Sequence, residues 1–179
     1  MPILTLLKRV KDNLGHAPHP VLSQEQALRR SYLFGLAMQA HSDGVLVPEE
    51  RRHFLEMADL FEVPGAEAEQ LLKDAAKPEE RAVHALRDHL AHSKHKFYFI
   101  LDLQIMAHQD HEVKAVESEV VRRFGDILDV SREDREFLVQ LADAVADNDP
   151  AAKDAWCRNF FKRDLAEEAA PDDFTHYTG

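Results

Sequence analysis

Apolar residues return every three or four positions along nearly the whole chain, and two-residue alternation is almost absent. That period predicts an all-α protein. The first strong stripe is Leu33, Leu36, Ala37 and Ala40, in a helix reaching His41, with Ser23 and Gln26 spaced as a capping box at its start. Pro48 opens a second helix whose inward side holds Phe54, Leu55, Ala58 and Phe61. A short third helix stops before Pro78, and Pro78 opens a fourth, to about residue 92, carrying Val83, Leu86 and Leu90. The run FYFILDLQIMA, residues 97–107, is the most apolar part of the chain and predicts a buried core helix over residues 94–108. Further helices are expected over residues 113–128, behind the pair Ser131 and Asp134 with Phe137, Leu138 and Leu141 inward, and after Asp149-Pro150 with Trp156, Phe160 and Phe161. The expected total is eight helices, or nine with the N-terminal segment.

That N-terminal segment reads ILTLLKRVKDNL. As a helix it carries Ile3, Leu6, Leu7 and Val10 on one side and Lys8, Arg9 and Lys11 elsewhere. Such a segment is suited to dock on its own domain, to bind a partner or to make peripheral contact with a membrane. The expected organisation is an amphipathic segment over residues 1–22, a helical domain over residues 23–165 and a mobile tail over residues 166–179, where no period survives.

The chain also repeats itself. AHSDGVLVPEE (residues 40–50) and AHQDHEVKAVE (residues 107–117) agree at Ala, His, Asp and Glu at an offset of 67 residues. At the same offset Asp59 pairs with Asp126 and Val63 with Val130. Apolar positions pair as well, among them Leu33 with Ile100, Leu36 with Leu103, Phe54 with Val121 and Met57 with Phe124. Each unit reads as helix, short acidic turn, helix. Neither unit can bury its apolar face alone, so the pattern predicts an internal duplication packed about a pseudo-twofold axis.

In both units the aspartate, Asp43 or Asp110, falls at the end of a helix, where the negative end of the dipole disfavours a carboxylate. A compensating partner is therefore expected. Glu50 and Glu117 follow in the first turn of the next helix, and a tight turn brings acid, acid and turn carbonyls together. Hard oxygen donors converging on a loop suit a divalent cation, Ca²⁺ or Mg²⁺/Mn²⁺. The alternative is that the aspartate forms the turn and the glutamate caps the helix. The alternating ligands of an EF-hand are missing.

AHSDGVLVPEERRHFLEMADLFEVP resembles the tellurite-resistance TerB family, in which a helix ends in Ala-x-x-Asp-Gly and the next opens with Glu. The resemblance spans residues 26–145. It implies an all-helical, internally duplicated fold, divalent-cation binding and a place in stress-response complexes. It makes Asp43 and Glu50 the acidic pair of the first unit, and Asp110 and Glu117 that of the second. His111 stands where the pattern favours glycine, with Glu112 beside it as a substitute ligand, so the second turn is expected to be altered or lost.

The charge balance of −11 changes the picture of partners. An acidic surface repels phosphate backbones, so nucleic acid is excluded in favour of cations and protein partners. The segment from Arg81 to Lys96 is the basic exception and provides a surface of opposite sign. Within it His89 and His92 share a helix face, but no cysteine or acid completes a zinc set. His41 and His108 are expected to pack inward or to bond a backbone carbonyl. Cys157 is the only cysteine and lies in an apolar context, which fits a reducing, cytoplasmic setting and a buried thiol. The N-terminus lacks the pattern of a signal peptide, and the longest apolar run is too short to span a bilayer.

Enzymatic signatures are absent: no phosphate loop, no nucleophile elbow. Glu50-x-x-His53 occurs once, and Val120 stands where its repeat would need histidine, so a di-metal bundle is not specified. The leading expectation is a non-enzymatic cation-binding protein acting through protein partners. A metal-free adaptor is the alternative, and a metal-dependent hydrolase a distant third. The pattern fixes no oligomeric state.

Overall fold

The computed structural model describes residues 19–107 and 115–147, and every regular element among them is helical. A 3-10 turn (Pro20–Ser23) leads into α1 (Gln26–Ala40), α2 (Pro48–Leu60), α3 (Gly65–Ala75), α4 (Glu80–Leu90), α5 (His95–Ala107), α6 (Ala115–Ile127) and α7 (Arg132–Ala146). The N-terminal amphipathic residues, the helix expected after Pro150 and the tail over residues 166–179 lie outside the described residues.

Most boundaries follow from local chemistry. Pro48 occupies the first turn of α2, where its missing N–H costs nothing. Ser131 caps α7 by accepting the Asp134 N–H at 3.1 Å. The box at Ser23 and Gln26 does not form. Pro20 starts a 3-10 turn instead, Ser23 donates its hydroxyl back to the Pro20 carbonyl at 2.9 Å, and α1 begins behind Glu25 without a side-chain cap. Pro78 likewise precedes α4 rather than opening it, because Glu79 is still extended and serves as the cap residue.

α5 is the centre of the fold. Phe97, Tyr98, Phe99, Ile100, Leu101 and Leu103 are all buried, which explains why this helix is apolar all round. It packs against α7, α6 and α1, while α1 is held by α2, α3 and α4.

The 67-residue offset reappears in the helix bounds. α1 and α5 end at Ala40 and Ala107, α2 and α6 share both bounds at this offset, and α3 and α7 share a start at Gly65 and Arg132. α2 and α6 also stop in the same way. Glu62 (φ 56°) and Asp129 (φ 54°) turn left-handed, and the Val63 and Val130 N–H groups reach back to Ala58 and Gly125 carbonyls at 2.9 and 2.8 Å. Tyr32 and Phe99 occupy equivalent positions and meet edge to face, with ring centroids 5.0 Å apart. Gly35 lies against Phe99, while its equivalent Asp102 bonds Tyr32.

Gly35 allows α1 and α5 to approach. A Cβ there would lie 2.4 Å from the Phe99 ring and 3.2 Å from Leu86. Gly35→Ala is therefore expected to destabilise the fold by about 2 kcal/mol, which in a chain of this size lowers the melting temperature by roughly 4–8 °C. Gly125→Ala is the comparison, since its Cβ meets only the flexible Arg135 side chain. Equal melting temperatures for the two variants would refute the close-packing account.

Candidate functional site

The turn between α1 and α2 is built from backbone bonds and two carboxylates. The Gly44 N–H bonds the His41 carbonyl at 3.1 Å, and Gly44 takes a φ of 83°, which a side chain would resist. Asp43 is exposed beyond the end of α1, and its Oδ1 accepts the Val45 N–H at 2.9 Å. This bond is a compensating partner of the kind the helix end calls for. Glu50, half-buried at the third position of α2, turns back so that its Oε2 accepts the Val47 N–H at 3.1 Å. The two acids thus sit at opposite ends of one turn, each fastened to a backbone N–H of that turn.

His41 ties the turn to the body of the fold. Its Nε2 donates to the Leu72 carbonyl of α3 at 2.9 Å, as expected for a histidine at a helix end. Val45, between the two acids, is 61% exposed and is one of two large apolar side chains on the surface of the described residues.

In the second unit Glu117 takes the third position of α6, matching Glu50 in α2. Asp110, His108, His111 and Glu112 lie outside the described residues. Among the described residues no three His, Cys, Asp or Glu side chains converge in a way that holds a metal ion. The zinc candidates separate: His89 bonds the Ser31 hydroxyl at 2.8 Å through Nδ1, while His92 is exposed. On α4, Arg81, His84 and Arg87 face solvent with Glu80 and Asp88 among them, so the helix itself is a mixed surface and the cationic excess of the segment comes from Lys94 and Lys96 beyond it.

Sequence reasoning did not find the buried polar cluster in the core between α1 and α5. Asp102, on the apolar helix α5, accepts the Tyr32 hydroxyl at 2.5 Å and lies 3.0 Å from His19 Nε2, all three groups being buried. His19 Nδ1 accepts the Val21 N–H at 3.2 Å, so the ring proton sits on Nε2 and is donated to Asp102. His53, one turn beyond Glu50, points into the same core. Burial pushes its pKa down to about 4, with the nearby Asp102 charge pulling the other way. The only sequence signal was the polar interruption at Asp102 in an apolar helix. His19 carried none.

An all-helical domain, with an acidic turn between α1 and α2, is thus the class defined by the fold and site. Residues 29–140, well over half of the chain, match the model of the family described as Tellurite resistance protein TerB. The chain belongs to the TerB family. No curated protein and no solved structure matches it. None of the described helices is long and apolar enough to cross a membrane.

Proposed function

We propose that this chain is a non-enzymatic TerB-type protein of the cytoplasm that binds a divalent cation at its acidic turns and works through protein partners. Those partners belong to a stress-response or membrane-associated complex. The reading is carried by the α1–α2 turn, where Asp43 and Glu50 are anchored at the two ends of one loop that Gly44 allows to close. Hard carboxylate and carbonyl oxygens suit Ca²⁺ or Mg²⁺/Mn²⁺ over softer metals. Asp110 and Glu117 would form the second site, related to the first by a pseudo-twofold axis that the reciprocal Tyr32–Phe99 and Gly35–Asp102 positions support. The cationic excess of residues 81–96, which Lys94 and Lys96 supply beyond α4, is the complementary surface for an acidic partner.

A bound cation would cross-link the two ends of the turn. Two carboxylates are fewer than a tight calcium loop uses, so a dissociation constant of roughly 10⁻⁴–10⁻³ M is expected. At a cation concentration about 100 times that constant, binding to the folded form alone adds about 2.7 kcal/mol of stability. One observation favours a metal-free adaptor: both carboxylates already accept backbone N–H bonds, as turn formers and caps do.

Calorimetric titration and melting of metal-free protein separate the two readings. Asp43→Asn keeps the turn preference and removes the charge, and it is expected to weaken the first site on the order of tenfold, since charge count tunes such loops. Asp110→Asn reports on the second turn in the same way. Unchanged affinity and melting response in both variants would leave the acids as structural elements only.

A further inference from the structure

A groove of about 280 Å³ lies between α2 and α3, lined by Leu55, Asp59, Val63, Gly65, Ala66 and Glu69. Its walls are apolar at Leu55, Val63 and Ala66. Its only charged lining groups are the carboxylates of Asp59 and Glu69. Glu69 also pairs with Arg51 across the groove's edge, an exposed ion pair of the kind that exchanges partners at little cost.

The start of the described chain lies close to this groove. The His19 ring packs on Phe61 with centroids 4.9 Å apart, and Arg29 bonds both the Phe61 carbonyl and the Glu62 carboxylate. His19, the first described residue, therefore lies beside the end of α2, two residues in sequence from Val63 at its Phe61 contact. What precedes it is basic and amphipathic: Ile3, Leu6, Leu7 and Val10 at helical spacing, with Lys8, Arg9 and Lys11 against a single acid, Asp12. The eight residues between Val10 and His19 let them lie up to about 30 Å apart, ample to reach a groove at that end of the helix.

We propose that the N-terminal segment of this chain docks in cis in the α2–α3 groove. Its apolar side covers Leu55 and Ala66 above the buried Val63, and Lys8 and Lys11 face Asp59 and Glu69. The chemistry matches on both counts: apolar stripe to apolar wall, cations to the groove's carboxylates. Docking hides from lipid and from partners the same stripe that would otherwise bind them. Nothing in this arrangement depends on a cation at the α1–α2 turn.

The test is zero-length carbodiimide coupling of the full-length protein at low salt, with peptide mass spectrometry. The expected products join Lys8 or Lys11 to Asp59 or Glu69. Leu6→Ser combined with Leu7→Ser is expected to abolish those links, as is raised salt, while links among residues of the helical domain persist. Three results would overturn the proposal. Lys8 and Lys11 could couple without preference to acids across the surface. An equal mixture of isotopically light and heavy protein could give hybrid links, which would make a second copy the occupant. Or the links could be absent while the protein sediments with phosphatidylserine vesicles in a way the double variant loses, which would assign the segment to a membrane.

Discussion

Asp102→Ala is expected to destabilise the fold by about 3–5 kcal/mol, the largest effect of any single substitution considered. The carboxylate sits in the most apolar helix and accepts from two buried donors, the Tyr32 hydroxyl and His19 Nε2. Alanine would leave both donors in the core without an acceptor, and each unmet group costs about 1–3 kcal/mol. Asp102→Asn is the informative companion. Its amide oxygen can still accept from Tyr32 or His19, so a loss nearer 1 kcal/mol is expected. Chemical denaturation at neutral pH measures both. If the two variants lost equal stability, the negative charge itself, and not the acceptor geometry, would be the stabilising element.

A second large effect concerns acid. His53 has a folded pKa of about 4 because burial disfavours its charged form, against 6.5 in the unfolded chain. Between those values the unfolded chain binds a proton that the folded chain refuses. Stability from this group is therefore fully present above pH 6.5 and is lost as the pH falls toward 4. The loss approaches about 1.4 kcal/mol per pH unit and totals roughly 3 kcal/mol. Denaturation midpoints followed from neutral pH down to about pH 5 are expected to fall steeply in the wild type. His53→Leu should flatten that slope. An unchanged slope would move the acid sensitivity to another group.

Much of the fold was legible because it rests on local rules. Apolar spacing located the helices, Pro48 and Ser131 marked two starts correctly, and the 67-residue offset anticipated bounds that α2 and α6 share. Errors arose where two local signals competed. At Ser23 the proline three residues earlier captured the hydroxyl for a 3-10 turn, so the capping box was a spacing without a cap. The site was legible in part. Asp43 and Glu50 could be placed in one turn from sequence, because helix ends and turns are local. Their backbone partners, Val45 and Val47, follow from the same short-range geometry. The Asp102 cluster was illegible for the opposite reason. His19 and Asp102 are 83 residues apart, and no periodicity reports which polar groups meet across a core.

The way the helices partner one another has a consequence for how the molecule opens. α1 is knit to α2, α3 and α4, and α5 to α6 and α7, whereas the seam between these groups is thinner, formed chiefly by α1 against α5 and α6. Each group is held by contacts close in sequence, so each can behave as a cooperative unit with its own opening free energy. The Tyr32–Asp102–His19 bonds and the Tyr32–Phe99 rings lie on that seam. They act as a clasp between two foldons, and amides on α1 and α5 should exchange with solvent together when the clasp releases.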